Sequence, residues 1–104
     1  MADTRSIINS QTKANTPAIL TDATGIPVNP ARAAWTIQNV GTNPLFVRLG
    51  GTASSTVYHY VLKGGTADND GLGALVGQTA GTVFTGAISV AGTSPKYVVM
   101  EIGN

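Results

Sequence analysis

Residues 33–49 read AAWTIQNVGTNPLFVRL, and no other stretch constrains the fold as strongly. Two short alternating runs flank a Gly41-Thr42-Asn43-Pro44 connection. Successive side chains of an extended chain point to opposite faces, so alternation of this kind marks strands with one dry side. In the first run Ala33, Trp35 and Ile37 share one face, and Ala34, Thr36 and Gln38 share the other. In the second, Leu45, Val47 and Leu49 point one way, and Phe46 and Arg48 the other. Gly, Asn and Pro supply the dihedrals of a tight connection, so the segment reads as a β-hairpin.

The rest of the chain is in the same idiom. Residues 18–20 are a short strand, and Asp22 and Gly25 mark a turn after it. Residues 26–30 hold two prolines, which give no N–H to a ladder and so belong to an edge or a loop. Residues 57–62 alternate Tyr58, Tyr60 and Leu62 with Val57, His59 and Val61. Both sets are partly apolar, so a strand covered on both faces is expected. Residues 63–78 form a Gly-rich stretch with Asp68-Asn69-Asp70-Gly71 at its tip and a short strand or turn at 74–76. Residues 83–84 and 87–90 read as short strands. Residues 96–102 close the chain, with Val98, Met100 and Ile102 expected inward and Glu101 outward. No window carries a helical stripe. Short strands about 8–12 residues apart, separated by Gly and Pro turns, predict an all-β fold: one compact antiparallel β-sandwich or barrel of about seven or eight strands. Gly-Thr-polar-Pro chemistry recurs at residues 41–44 and 92–95 without a true repeat.

The body is expected to span residues 17–104, preceded by an extended N-terminal arm at 1–16 whose only large aliphatic side chains are Ile7 and Ile8. Ordering such an arm costs roughly 16–30 kcal/mol of conformational entropy. Offsetting that by apolar burial takes on the order of 600–1,200 Å². Two isoleucines do not supply it, so an ordered arm needs backbone hydrogen bonds to an edge strand or a neighbouring subunit, with Ile7 and Ile8 as its contact residues.

At 104 residues the chain makes one domain with room for a core. Charged residues are 11%, against about a quarter in ordinary domains. Free monomers rely on surface charge for solubility, so the shortfall favours a subunit packed against neighbours. The six basic residues, Arg5, Lys13, Arg32, Arg48, Lys63 and Lys96, are scattered and read as solvated surface charges. Nucleic-acid binding needs them clustered, so no nucleic-acid partner is expected. There is no cysteine, which removes disulfides and thiolate metal sites. The first residues, MADTRSIINSQTK, lack the apolar core of a secretory signal. No apolar run reaches membrane-spanning length, and no membrane partner is expected.

Candidate chemistry is sparse. His59 is the only histidine. It has no nucleophile elbow to serve and no second imidazole or thiolate with which to hold a metal. Asp68, Asn69, Asp70 and Gly71 open like a calcium loop, but the closing bidentate acid is missing. The five carboxylates, Asp3, Asp22, Asp68, Asp70 and Glu101, suggest no acid pair for sugar cleavage. Gly71, Gly73 and Gly77 lack the strand and helix that a dinucleotide fingerprint requires. No cofactor, metal or catalytic residue is therefore expected. Trp35, Tyr58, Tyr60 and Tyr97 read as core or interface aromatics, with a carbohydrate platform as the alternative if they are exposed.

The stretch W-x-I-Q-N-x-G-x-N-P-L-x-V-R at residues 35–48, together with FTGAISVAGT at 84–93, resembles small β-sandwich proteins of tailed-bacteriophage virions. These are capsid decoration (cement) proteins and tail- or fibre-associated subunits. The resemblance covers about residues 29–102, leaves out the arm, and names no active site. It implies a non-enzymatic structural protein located in the virion, most simply a decoration subunit that stabilises the shell. Such a subunit would be a homo-oligomer, for example a trimer, bound to the major capsid protein or another virion protein. The alternative is a carbohydrate- or receptor-binding module of a tail or fibre. An enzyme, with His59 as its only imidazole, is the weakest reading.

Overall fold

A computed structural model describes residues 18–103. The arm, with Ile7 and Ile8, lies outside the described residues. Seven strands follow in chain order: β1 (Ile19–Leu20), β2 (Arg32–Asn39), β3 (Leu45–Leu49), β4 (Tyr60–Leu62), β5 (Leu75–Gln78), β6 (Ile88–Gly92) and β7 (Tyr97–Gly103). They form a four-stranded sheet in the order β1-β7-β2-β5 and a three-stranded sheet in the order β4-β3-β6. Every pairing is antiparallel. Trp35, Ile37, Tyr97 and Val99 of the first sheet pack against Leu45, Val47, Leu62, Ile88 and Val90 of the second in one buried cluster. The chain is thus an all-β sandwich, as its alternation predicts.

The 33–49 segment is not a hairpin. β2 pairs with β7 and β5, while β3 pairs with β4 and β6, so the Gly41–Pro44 connection carries the chain from one sheet to the other. The crossing is held by Asn39, the last residue of β2, which is 1% exposed, and by backbone bonds from Val40 to Lys96 and from Gly65 to Gly41. Asn39 Nδ2 donates to the carbonyls of Asn43 (2.8 Å) and Leu62 (2.9 Å). Its Oδ1 accepts from the Gly41 N–H at 2.9 Å. One amide therefore folds the connection onto itself and ties it to β4 of the opposite sheet. Alternation cannot distinguish the two outcomes, because Trp35 and Val47 point into the core whether their strands pair or face each other across it.

Further expectations are corrected. The inward face of β7 is Tyr97 and Val99, both buried, whereas Val98, Met100 and Ile102 lie on the outer, half-buried face. Tyr97 tolerates burial because its hydroxyl is satisfied: it accepts from the Gly25 N–H (2.9 Å) and donates to the Asp22 carbonyl (2.7 Å). Glu101 shares that inward parity and bonds Arg32 rather than pointing to solvent. Residues 57–62 contribute only the short edge strand β4, and Val57, Tyr58, Tyr60 and Val61 are exposed rather than covered on both faces. Residues 83–84 form no strand, although Val83 and Phe84 pack against the core. On β2 the register shifts between Arg32 and Ala34. The shift leaves Ala33 half-buried while Ala34 and Trp35 are both buried.

Arg32, read from sequence as a surface charge, has a fully buried side chain. Nε donates to Glu101 Oε2 (2.7 Å), and the remaining guanidinium nitrogens donate to the carbonyls of Phe84 (2.7 Å), Gly86 (2.9 Å) and Pro27 (2.7 Å). This one group therefore joins β2 and β7 to the two loops at 27–31 and 79–87. Glycine is required just ahead of the first of these loops, where the chain passes β6. Gly25 has φ +64°, and a Cβ there would lie 2.0 Å from the Ile88 carbonyl oxygen. That close approach leaves room for the Ile26–Ile88 bridge that caps β6.

Candidate functional site

Pairing register alone defines one surface. Directly opposed residues of antiparallel strands share a face. Ile19 opposes Val98, Val98 opposes Gln38 and Gln38 opposes Leu75, making a row across all four strands of the larger sheet. Met100, Thr36 and Gly77 make a second row, and Ile102 with Ala34 a third. Trp35, Ile37, Tyr97 and Val99 point the other way, so these rows form the outer face. None of its residues is charged. Leu75 and Ile19 are its most accessible apolar side chains, at 61% and 50% exposure.

The outer face of the smaller sheet is different. Phe46 opposes Val61 on one side and Ala91 on the other. The exposed Tyr58 ring leans on Phe46 with centroids 5.1 Å apart and planes at 49°. An open cavity of about 520 Å³ beside the pair is lined by Asn43, Pro44, Phe46, Ser55, Gly92 and Thr93. Asn43 Nδ2 donates to the Thr93 carbonyl (2.9 Å), which holds the two loops of the cavity together.

The four aromatics singled out from sequence separate into two pairs. Trp35 and Tyr97 are fully buried core residues. Trp35 Nε1 donates to Gln78 Oε1 at 2.9 Å, and burial pushes the Tyr97 hydroxyl pKa up. Tyr58 and Tyr60 are exposed on the edge of the smaller sheet. Phe46, which completes the aromatic surface, was missed because its alternation marked only the wet face of β3.

The polar candidates are engaged by the backbone. His59 Nδ1 accepts from the Leu49 N–H (3.0 Å) and the His59 backbone N–H donates to the Val47 carbonyl (2.8 Å), extending the β3–β4 ladder past the strand end. Asp70 accepts from the N–H groups of Thr66, Ala67 and Leu72 and from the Thr66 hydroxyl. These bonds, with Leu72 first, hold its pKa at about 2. Asp68 instead pairs with Lys96. The two carboxylates thus serve separate partners, and among the described residues no group of His, Asp or Glu could hold a metal ion. The Thr24 hydroxyl and N–H lower the pKa of Asp22. No described helix is long and apolar enough to cross a membrane.

Comparison with protein-family models, with curated proteins and with solved structures finds no match to this chain.

Proposed function

We propose that this chain is a non-enzymatic structural subunit, a decoration protein of a tailed-bacteriophage virion, which acts by laying the outer face of its four-stranded sheet on a neighbouring protein. The observation that carries the reading is that face: Ile19, Val98, Met100, Ile102 and Leu75, with Thr36 and Gln38 between them and no charge. Covering it desolvates no ion, so apolar contact is not offset by the cost of burying charges. An apolar face on a chain with only 11% charged residues suits a molecule that is covered in use. The resemblance of residues 35–48 to small virion proteins supports a major capsid protein or another virion protein as the neighbour, with the subunit itself a homo-oligomer such as a trimer. Many weakly bound copies would then stabilise a shell together.

The test is a mass measurement in solution paired with micrographs of particles with and without the protein. Leu75→Asp places a charge on the accessible part of the face, where it leaves the core untouched. It is expected to abolish decoration while the thermal midpoint stays within a few degrees. Decoration by Leu75→Asp at undiminished affinity would overturn the reading. Removing residues 1–16 is expected to leave the fold intact and weaken attachment, and an unchanged affinity would exclude the arm from the contact.

A further inference from the structure

We infer that the cavity beside Phe46 and Tyr58 is a binding site for an uncharged sugar ring. The inference goes beyond the structural role proposed above and does not rest on it, because the cavity lies on the opposite sheet.

The lining decides the chemical class. Ligand cavities are typically about 300–1,000 Å³, and this one is about 520 Å³. Phe46 is the aromatic residue of its lining, and the exposed Tyr58 ring packs against Phe46 with planes at 49°. Aromatic faces carry partial negative charge, which suits the C–H face of a pyranose. The polar groups of the lining keep hydrogen-bonding capacity to spare. Asn43 commits its Nδ2 to Thr93, while Asn43 Oδ1 and the hydroxyls of Ser55 and Thr93 make no hydrogen bond among the described residues. An amide oxygen and two hydroxyls can accept from and donate to sugar hydroxyls. No lining residue is charged, so nothing compensates a carboxylate or sulfate on the ligand. The site therefore fits a neutral hexopyranose, and an acidic sugar would enter without a counter-charge.

The backbone around the cavity is held before any ligand arrives. The Asn43–Thr93 bond fixes the two loops against each other, and the Asn39 amide fixes the Asn43 carbonyl. Ser54 braces the loop that carries Ser55, through its carbonyl to the Val57 N–H (3.3 Å) and its hydroxyl to the N–H groups of Thr56 (3.2 Å) and Val57 (3.0 Å). Preorganisation of this kind lowers the ordering cost of binding.

The experiment is an amide NMR titration of the full chain with neutral trisaccharides built from glucose, galactose and N-acetylglucosamine, alongside a sialylated trisaccharide. At least one neutral probe is expected to shift the amides of Asn43, Phe46, Ser55, Tyr58 and Thr93 saturably, in the millimolar range. Tyr58→Ala, at an exposed ring, and Thr93→Val, at an exposed hydroxyl, should each weaken that binding by roughly tenfold and leave the rest of the spectrum in place. The inference is overturned if no neutral probe gives a saturable shift at these residues. It is also overturned if Tyr58→Ala binds as the parent does, or if the sialylated probe binds most tightly. None of these results bears on decoration, which Leu75→Asp tests separately.

Discussion

Replacing Asn39 by alanine tests whether one amide directs the chain between the sheets. In the parent, the Asn39 side chain makes three hydrogen bonds, two to carbonyls and one to an N–H. Asn43 is exposed, so its carbonyl can turn to water once the amide is gone. Leu62 and Gly41 are buried and have no such recourse. Each buried polar group left without a partner costs about 1–3 kcal/mol. Two of them give a loss of about 2–6 kcal/mol, before any relaxation of the arch. A domain of this size has a total stability of about 5–15 kcal/mol. Each kcal/mol corresponds to about 4–8 °C in the midpoint of a domain of about 100 residues. Asn39→Ala is therefore expected to lower the midpoint by at least about 10 °C. In urea it should lower the transition concentration with an unchanged slope. Parallel thermal and urea unfolding followed by far-ultraviolet circular dichroism reads both. A loss below about 1 kcal/mol would refute the reasoning, because the arch would then be held by its backbone and apolar contacts alone.

Other substitutions probe the remaining joints. Arg32→Met keeps the aliphatic volume but removes the guanidinium from Glu101 and from three loop carbonyls. A loss of about 3–5 kcal/mol is expected in urea unfolding, and a variant as stable as the parent would mean that the buried pair is dispensable. Tyr97→Phe keeps the ring and strips the buried Gly25 N–H of its acceptor, with an expected cost of about 1–3 kcal/mol in the same assay. Tyr58→Phe changes an exposed ring and serves as the matched control, expected within about 0.5 kcal/mol of the parent. The Asp70 loop should respond to acid. A carboxyl whose folded pKa is depressed stabilises above its unfolded value and loses that contribution as pH falls through the folded one. The 66–72 loop should therefore keep its amide protection above about pH 4 and lose it as pH falls toward about 2. A carboxyl titration of Asp70 by NMR with a midpoint near 4 would contradict this.

How much was legible follows from what alternation can encode. The turn at 21–25 and the edge or loop at 26–30 follow from the backbone chemistry of Asp, Gly and Pro, while the all-β class and the inward set Trp35, Ile37, Leu45 and Val47 follow from side chains two residues apart sharing a face. That rule is local, and it carries these assignments without reference to any partner strand. β7 shows its limit. Tyr97, Val98, Val99, Met100 and Ile102 are apolar enough on both parities that the inward face depended on a distant fact, the Gly25 and Asp22 backbone groups waiting for the Tyr97 hydroxyl. The buried role of Arg32 was equally invisible, because its acceptors come from positions 27, 84, 86 and 101.

The candidate surfaces divide in the same way. The low charge of the chain was plain from composition, but gathering Ile19, Leu75, Val98, Met100 and Ile102 onto one uncharged face required the β1-β7-β2-β5 order. The sugar-sized cavity required residues 43, 55 and 93 to meet, and they meet because β3 and β6 pair while the Asn39 arch sets Asn43 beside Thr93. Sequence by itself determined which side chains each strand turns to the same side, since that is a property of extended backbone. Which strands are neighbours, and so which surfaces exist, was decided only when long-range hydrogen bonds and packing of the two inner faces selected one arrangement.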